Sequence, residues 1–507
     1  MAYRDLREWI HKLEMEDHLQ RVKAEVDWDL EIGAITRATA AQRGPALLFE
    51  NIKGHQKTSC KSFFTNSFGS MERVAMAMGL DKAAGAEECV ETLKSRLLKP
   101  SNTVQVERGS VQQHVIEKKE IDLQQLPVPH WHHRDGGRYI NTLVGVVTRD
   151  PETKLLNVGT YRGMVSGKDK IPVLIAATQH WGQHFAKYRR LGQEMPISIF
   201  YGAEPTIFML TSAPLNDPHS SEYEYGGSLR QQPLELVRCQ TNDLLVPAEA
   251  EIVVEGRLSG DPKTFVMEGP FGEYPGTYGG MASPKPAIDV DCVTHRTNPI
   301  LMGSLEGNSP GRLCESAYLT SVTFSAICWN FLEKFGVPNI LGVWTAPVTC
   351  STTLRVKIRK IYRGQAQQVA NAIWASSLAN YAGKNVIVTD EDIDIYNDEA
   401  MEWALAWRVN AEMGDVTFFS GTFGSMLDPS YPLETRDIRK YGQGKWTRVL
   451  IDATINWDLE PEEQFGGNRY PPSATDIDPA EEQLIRKRWK EYGFKEPLKW
   501  KNGSGAT

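Results

Sequence analysis

The stretch AIDVDCVTHR, residues 287–296, begins by alternating apolar and acidic side chains. A period of two is typical of a half-buried antiparallel strand, whereas a helix repeats its apolar positions every three or four residues. Other strand-like stretches precede it, bounded by Gly, Pro or Asn: TLVGVVTR (142–149), PISIFYG (196–202), TIFMLTS (206–212) and EIVVEGRL (251–258). We therefore predict a β-rich middle domain over residues 111–312, with a barrel as one possible arrangement.

Helical periodicity occurs on both sides of this β-rich part. Near the start, apolar residues at helical spacing share one face (Leu6, Trp9, Ile10 and Leu13). After residue 313, GQAQQVANAIWASSLANYAG (364–383) predicts a helix that ends at Gly383, followed by the strand NVIVTD (385–390) and a helix over 399–408. Helix, strand and helix in this order indicate an α/β layer.

The predicted fold is therefore a multidomain α+β or α/β protein with parts at residues 1–110, 111–312 and 313–507. A final helix carries signals at both ends (Asp478, Pro479, Glu481, Glu482 and Gly493). Its apolar face would pack on the chain's own body or on a partner subunit (Ile485, Trp489 and Tyr492).

The composition is that of a globular protein and argues against several functions. The 507 residues exceed one ordinary core and predict about two to four domains. A net charge of −8 without a long basic run argues against nucleic acid as the main partner. We find neither a signal peptide's apolar segment nor the about 18 apolar residues of a membrane span. The seven dispersed cysteines form no Cys-x-x-Cys pair, so we expect a reduced, cytoplasmic protein.

The stretch VMEGPFGEYPG, residues 266–276, holds Glu268 and Glu273 five positions apart. In a helix this step separates the side chains by about 140°, and in an unbroken strand it puts them on opposite faces. Only a turn at Gly269-Pro270 can bring the two carboxylates together. On sequence alone the stretch is either an exposed loop with solvated acids or a loop that converges two acids on one point.

Three other segments carry side chains that often do chemistry, each with an ordinary structural explanation. HWHHRDGG (130–137) is either a metal-binding histidine cluster or, as we expect, a polar loop entering a turn. His180 suits a hydrogen-bonded core histidine or a ligand, and Arg162 in NVGTYRGMV (157–165) suits a surface residue or an anchor for an anion. The signatures of P-loop ATPases, zinc proteases and serine hydrolases are missing from the sequence.

Several segments, in this order along the chain, resemble one known family: NVGTYRGMV, QH (179–180), SEYEYGGSLR (221–230), CQTNDLLVPAEAEIVVEG (239–256), MEGPFGEYPG (267–276) and DEDIDIYNDEAMEWALAWR (390–408). They resemble the UbiD-like family of prenylated-FMN-dependent reversible decarboxylases, of the ferulic acid and aromatic acid decarboxylase type. The resemblance extends from PALLFENIKG (45–54) to the final helix.

The resemblance implies an N-terminal α/β part, a split β-barrel that binds the cofactor, and a C-terminal α/β oligomerisation domain. The family's metal triad falls on Asn157, His180 and Glu222, which would hold Mn²⁺ or Mg²⁺ against the phosphate of prenylated FMN, with K⁺ near residues 211–213. A basic residue on the phosphate falls on Arg359 or Lys360. The same segments would supply further cofactor contacts (Thr160, Tyr161, Arg162, Gln179 and Ser212).

The resemblance also places a Glu-Arg-Glu set on Glu268, Arg162 and Glu273. Loss of CO₂ from an sp² carbon leaves electrons that no side chain stabilises adequately, so a cofactor must accept them through a covalent adduct. Arg162 would hold the substrate carboxylate and lower the pKa of a nearby Glu. Glu273 would protonate the carbon after CO₂ leaves, and Glu268 would pair with Arg162 and tune cofactor maturation.

GSLEGNSPGRLCESAYL (303–319) and FFSGTFGSMLDPSYP (418–432) would line the substrate pocket by family position, and they favour an aromatic or heteroaromatic carboxylic acid. The expected partners are this acid and CO₂, a flavin prenyltransferase that supplies the cofactor, and further copies in a homodimer or hexamer. The alternatives are a decarboxylase of α,β-unsaturated, cinnamic-type acids, a catalytically silent flavin-binding homologue, and a hydrolase that uses the metal triad directly.

Overall fold

The computed structural model describes residues 2–215, 217–436, 444–472 and 477–496. The α-helices are α1 (Leu6–Met15), α2 (Glu31–Ala41), α3 (Met71–Ala77), α4 (Ala86–Arg96), α5 (His180–Arg190), α6 (Pro205–Thr211), α7 (Glu222–Arg230), α8 (Glu315–Phe335), α9 (Gln365–Trp374), α10 (Asp398–Trp407) and α11 (Pro479–Arg488). None of these described helices combines the length and apolarity needed to cross a bilayer.

The strands fall into three regions of the chain. Before residue 111 they are β1 (Leu19–Val22), β2 (Ala46–Phe49), β3 (Ser62–Thr65) and β4 (Val104–Val106). The central strands are β5 (His114–Glu117), β6 (Tyr139–Asn141), β7 (Gly145–Arg149), β8 (Leu156–Gly159), β9 (Gly163–Met164), β10 (Lys170–Pro172), β11 (Met195–Tyr201), β12 (Glu235–Arg238), β13 (Leu245–Pro247), β14 (Ile252–Leu258), β15 (Val266–Glu268), β16 (Phe271–Gly272), β17 (Tyr278–Gly279), β18 (Ser283–Lys285), β19 (Ala287–His295) and β20 (Ile300–Met302). The last region contains β21 (Ile340–Trp344), β22 (Thr353–Ile358), β23 (Asn385–Thr389), β24 (Val416–Gly424) and β25 (Gly444–Ala453).

The stretch AIDVDCVTHR forms β19, which lies inside the large central sheet. The strand order is β10-β19-β14-β11-β7-β8, and β5 also pairs with β19. Asp289 and Asp291 of β19 both accept hydrogen bonds from Lys118, while Ile288 and Val290, which alternate with them, are buried. Every pairing along this path is antiparallel. The described end strands β10 and β8 do not pair with each other, so the sheet is open rather than a closed barrel.

Mixed sheets with helices flank this central sheet. The first has the order β1-β2-β3-β20 and the last β21-β22-β23-β25-β24. In the last sheet β22, β23 and β25 run parallel, with α9 and α10 in the connections between them, as the α/β prediction requires. One apolar core runs from α1 through α8 into the last sheet, and a second fills the central sheet. The multidomain fold of mixed helix and sheet is confirmed.

Several local predictions are confirmed in detail. The predicted apolar face of α1 is buried (Leu6, Trp9, Ile10 and Leu13). The Asp5 side chain caps α1 by accepting from the backbone nitrogen of Glu8 at 2.9 Å. Helix α10 begins and ends within a residue of the predicted range. The seven cysteines are buried and unpaired, in agreement with a reduced protein.

The prediction of a strand at TIFMLTS is wrong, because these residues form α6. The side chain of Glu204 accepts hydrogen bonds from the backbone nitrogens of Thr206 and Ile207 at 3.0 and 2.8 Å. Pro205 occupies the first turn, where a missing backbone N–H carries no penalty. This cap starts a helix whose residues are all buried, so the sequence shows no amphipathic period.

Two predicted helix ends also differ from the structure. The helix predicted to reach Gly383 stops at Trp374, because the Trp374 indole donates to the carbonyl of Gly383 at 2.8 Å and folds the chain back. Helix α11 begins with the predicted Asp478 cap but ends at Arg488, before the left-handed Gly493. No described residue of α11 is buried, and Ile485 and Trp489 of the predicted apolar face are half-buried.

Candidate active site

The loop VMEGPFGEYPG brings its two glutamates onto one guanidinium group. Strand β15 ends at Glu268, Gly269 adopts φ +94°, a conformation that suits only glycine, and β16 starts again at Phe271. Arg162 Nη2 donates to Glu268 Oε2 at 3.0 Å, and Arg162 Nη1 donates to Glu273 Oε1. All three side chains are buried or nearly so. Of the two alternatives, the structure therefore contains the loop that converges the two acids on one point, not an exposed loop with solvated acids.

The HWHHRDGG segment (130–137) holds this turn in place through hydrogen bonds. Asp135 accepts from the backbone nitrogen of Gly272 at 2.8 Å, and the Gly136 nitrogen donates to the carbonyl of Pro270 at 2.7 Å. His132 shares a hydrogen bond with Asp135 at 3.0 Å. Within the described ranges no three His, Cys, Asp or Glu side chains are grouped closely enough to hold a metal. The segment forms a polar loop whose contacts fix the glutamate loop.

The two glutamates differ in their surroundings. Glu268 accepts from Arg162 and also from the Tyr139 hydroxyl, at 2.7 Å, so it is held by two donors. Glu273 has Arg162 as its side-chain partner, and burial raises the pKa of its carboxyl although Arg162 opposes the shift. Burial also opposes protonation of Arg162, but the carboxylates of Glu273 and Glu268 raise its pKa above the usual value. The burial of Glu273 therefore favours the neutral form of its carboxyl.

A cavity of about 380 Å³ lies beside this cluster and collects most of the site residues expected from the sequence. Its wall includes Asn157, Thr160, Tyr161, Arg162, Gln179, His180, Ser212, Glu222 and Glu273. Glu268 stands behind Arg162 and is not part of the wall. Residues 211–213 and parts of both predicted pocket segments, Ser316 and Met426 among them, also line the cavity.

The three expected metal ligands reach the cavity from the ends of different elements. Asn157 lies on β8, whereas His180 and Glu222 are the first residues of α5 and α7. Glu222 accepts from the backbone nitrogen of Val158 at 2.7 Å, which ties α7 to β8. Burial raises the pKa of Glu222 to about 7 and lowers the pKa of His180. An amide, an imidazole and a carboxylate thus line the cavity.

The structure does not bring Arg359 to this cavity. Arg359 follows the end of β22, is mostly exposed and forms an ion pair with Glu391 at 2.7 Å. The alternative, Lys360, donates to Thr454 Oγ1 and to the carbonyl of Ile455, at 2.8 and 3.0 Å. Both basic side chains therefore bind within the C-terminal part of the described chain, and neither belongs to the cavity wall.

Other residues of the site were not singled out from the sequence. The hydroxyl of Tyr274, a residue of the cavity wall, shares a hydrogen bond at 2.9 Å with Ser425 in the loop after β24. Glu306 lies within the predicted pocket segment GSLEGNSPGRLCESAYL, but nothing local distinguishes it from a surface acid. Tyr139 follows the polar loop, and its bond to Glu268 depends on a contact between residues far apart in sequence.

Sequence comparison gives the family. Models of the 3-octaprenyl-4-hydroxybenzoate carboxy-lyase domains match the chain at residues 10–93 (N-terminal domain), 102–309 (Rift-related domain) and 317–453 (C-terminal domain). The chain belongs to the UbiD family. This UbiD-family protein is therefore an enzyme, a carboxy-lyase. It is 33% identical over 486 residues to a phenolic acid decarboxylase from Sedimentibacter hydroxybenzoicus, covering 94% of this chain and 96% of the relative.

Solved structures agree with this assignment. The closed form of the vanillic acid decarboxylase from Sedimentibacter hydroxybenzoicus superposes with a TM-score of 0.86 at 32% identity, covering 97% of this UbiD-family chain and 100% of that one. The UbiD-class enzyme HmfF from Pelotomaculum thermopropionicum, in complex with FMN, gives 0.76 at 32% identity, covering 91% and 96%. An evolved dimeric form of HmfF with prFMN gives 0.73 at 30% identity, covering 94% and 100%.

Proposed function

We propose that this enzyme catalyses the reversible, non-oxidative decarboxylation of an aromatic or heteroaromatic carboxylic acid with prenylated FMN as cofactor. The observation that carries the proposal is the buried Arg162 held between Glu268 and Glu273 at the wall of a cavity large enough for a ligand. Relatives named for phenolic and vanillic acid decarboxylation, and an HmfF structure with prFMN, support the reaction class and the cofactor.

The residues around the cavity fit a flavin phosphate and a divalent cation. Asn157, His180 and Glu222 offer oxygen and nitrogen donors of the types that Mn²⁺ and Mg²⁺ accept. The α5 and α7 helices begin at the cavity, where their N-terminal N–H groups favour an anion. The hydroxyl of Thr178 is buried in the same wall without a hydrogen-bond partner in the described chain. We assign the cation to the three donors and K⁺ to residues 211–213.

When bound, the prenylated flavin supplies the carbon that accepts the electrons left on the substrate when CO₂ departs. Arg162 orients the substrate carboxylate, because a planar guanidinium suits a carboxylate and is already fixed by two glutamates. Glu273 donates a proton to the carbon that has lost CO₂, because its pKa is raised and it faces the cavity. Glu268, held by Tyr139 and Arg162, keeps the guanidinium in place.

Part of the cavity wall favours a ring substrate with polar substituents. It combines hydroxyl groups with apolar side chains: Ser316, Thr320, Phe324, Met426 and Leu427. A planar aromatic acid can pack on the apolar residues while its substituents bind the hydroxyl groups. A cinnamic-type acid is the second candidate, because the same wall would accept an unsubstituted ring.

The test is expression together with a flavin prenyltransferase, followed by an absorption spectrum, the mass of the bound ligand and a panel of acids. The expected result is bound prenylated FMN, a bound divalent cation, and turnover of hydroxylated benzoic or heteroaromatic acids. Ordinary FMN alone, with no turnover, would contradict the cofactor assignment. A strong preference for cinnamic acids would replace the substrate class.

A further inference from the structure

A second cavity, of about 300 Å³, adjoins the active site. Within the described chain, two residues line both cavities, and both are glutamates: Glu273 and Glu306. The wall of the second cavity also includes the exposed residues Arg37, Thr277 and Arg312. The cavity therefore connects the two carboxyl groups with the protein surface.

The proposed reaction needs such a connection. Decarboxylation of a carboxylate, RCOO⁻ + H⁺ → RH + CO₂, consumes one proton from solvent in every turnover. Glu273 is 8% exposed, and the active-site cavity that it lines would be filled by cofactor and substrate during the reaction. The proton that reloads Glu273 must therefore arrive from its other side, where the second cavity lies.

We propose that Glu306 returns the proton to Glu273 after each turnover, through the second cavity. This inference rests on the proposed decarboxylase function. The Glu273 carboxyl gives its proton to the carbon and becomes a carboxylate. The Glu306 carboxyl then gives its proton to that carboxylate through water, and a hydronium ion from solvent reprotonates Glu306. Among the described contacts no direct hydrogen bond joins the two carboxyl groups, so water bridges them, and Glu306 is a positioning residue that acts through Glu273.

The surroundings of Glu306 suit this role. Ser316 and Ser304 donate hydrogen bonds to its two carboxyl oxygens, at 2.7 and 3.2 Å. Burial raises the pKa of Glu306 to about 7, and the nearby Glu273 acts in the same direction. The group therefore gains and loses a proton near neutral pH, as a relay requires.

Other titratable groups also surround Glu306. Glu315 disfavours its ionisation, the thiols of Cys314 and Cys350 lie close enough to sense its charge, and His132 bonds to its backbone carbonyl at 3.0 Å. Arg37, Arg312 and His133 line the second cavity itself. None of these groups forms a side-chain ion pair with Glu306 in the described structure, so its proton is not fixed by a cation.

The main test is Glu306→Gln in the cofactor-loaded enzyme. We expect kcat to fall on the order of tenfold to a hundredfold with little change in KM, since a relay acts on proton transfer rather than binding. The wild-type kcat should decline above about pH 7 and the variant should lack this decline, because Glu306 ionises there. Glu306→Asp, which keeps a carboxyl group, should recover part of the rate and the pH dependence.

A second variant tests the path without touching either carboxyl group. Ala40 of α2 lines the second cavity, whereas Ala38 of the same helix is exposed and does not. Ala40→Phe should fill the cavity and slow turnover and the incorporation of solvent deuterium into the product. Ala38→Phe is the matched control and should leave both unchanged.

Infrared titration of the cofactor-free protein gives a readout that does not need activity. The protonated-carboxyl absorption that disappears near pH 7 should be smaller in Glu306→Gln than in the wild type, where Glu306 adds to the contributions of Glu222 and Glu315. Wild-type kcat and pH profile in Glu306→Gln, or an unchanged band, would overturn the inference. So would a KM increase confined to ring-hydroxylated acids, which would assign Glu306 to substrate recognition. An inactive loaded wild type would overturn the proposed function and this inference with it, whereas an active wild type with an unaffected variant overturns the relay alone.

Discussion

At the scale of single residues, the active site depends on two carboxyl groups of one loop that have different partners. Glu268 is fully buried, does not line the cavity and is held by Tyr139 and Arg162. Glu273 faces the cavity and is held by Arg162, while burial favours its neutral form. The proposed mechanism therefore uses the same residue type as an anchor at one position and as an acid at the other.

Glu273→Gln should abolish turnover without loss of the cofactor. Glutamine keeps the shape and a hydrogen bond to Arg162 but has no acidic proton, and general acids contribute about a hundredfold to ten-thousandfold. The measurement is kcat, deuterium exchange into the product, and the absorption of the bound flavin. Glu268→Gln is the matched control and should retain more turnover, since it does not line the cavity. Near wild-type turnover in Glu273→Gln would move the acid role elsewhere.

At the scale of elements, the contact between the turn at Gly136 and the turn at Gly269 decides where the two glutamates lie. A Cβ atom at Gly136 would sit 2.2 Å from the carbonyl oxygen of Gly269, so any side chain there displaces the glutamate loop. We expect Gly136→Ala to lower kcat on the order of a hundredfold through misplacement of Glu273. Metal binding should persist, because Asn157, His180 and Glu222 lie on other elements.

The control for this prediction is Gly85→Ala. Gly85 has nothing within 4 Å of an added Cβ and an ordinary φ of −76°, so the substitution should leave kcat nearly unchanged. The measurements are steady-state kinetics and the metal content of both variants. Unaltered kinetics in Gly136→Ala would mean that the glutamate loop does not depend on this contact.

The elements also show how far the sequence could be used for prediction. Local patterns were sufficient for β19, whose period is two, and for α10, whose ends carry capping residues. They were insufficient for α6, which is buried on every side and is started by the Glu204 cap. From the local sequence, the convergence of Glu268 and Glu273 was one of two interpretations. The turn that decides between them is fixed by Asp135, which belongs to another segment.

Contacts between distant segments limited prediction of the site in the same way. Resemblance to a family placed Arg162 and the three proposed metal ligands, and the structure gathers them at one cavity. It could not place Arg359, whose position is set by an ion pair with Glu391. Glu306 has no sequence signal, because its proposed role depends on two cavities that exist only in the folded chain.

At the scale of the whole molecule, a buried acid links stability to pH. Glu315 is 2% exposed and accepts backbone hydrogen bonds from Asn66 and Phe68, and burial raises its pKa to about 7. A carboxyl group with a folded-state pKa above its unfolded value binds more protons in the folded state. Its contribution to the free energy of unfolding therefore declines as pH rises from about 4.5 to about 7, by up to about 3 kcal/mol.

Glu315→Gln should flatten this dependence. Histidines with lowered pKa, such as His184, act in the opposite direction below pH 6.5, so the comparison with the variant isolates the Glu315 contribution. The measurement is urea unfolding of cofactor-free wild type and variant at pH 5.5 and pH 8. We expect the difference between the two pH values to shift toward greater stability at pH 8 in the variant. An identical pH dependence would show that Glu315 ionises normally.

The edge strand β24 is a candidate interface between copies of the chain. It is the last strand of its sheet, and within the described residues no other strand pairs with its outer side. Phe418 and Phe419 of β24 are 68% and 49% exposed. A long, apolar edge of this kind is unfavourable in water unless another surface covers it. We propose that a second copy of the chain covers β24, which agrees with the expected homodimer. Phe418→Glu should then lower the oligomeric state, because a buried unpaired charge opposes association.

The measurement is light scattering coupled to size-exclusion chromatography over a range of protein concentrations. Leu98→Glu is the matched control, since Leu98 is 64% exposed outside this sheet and should leave the assembly intact. The active-site wall includes Met426 and Leu427, which follow β24 in the chain. Dissociation should therefore also raise KM for the acid in Phe418→Glu and not in Leu98→Glu. A monomeric wild type, or a Phe418→Glu variant that keeps the wild-type mass, would exclude β24 as the interface.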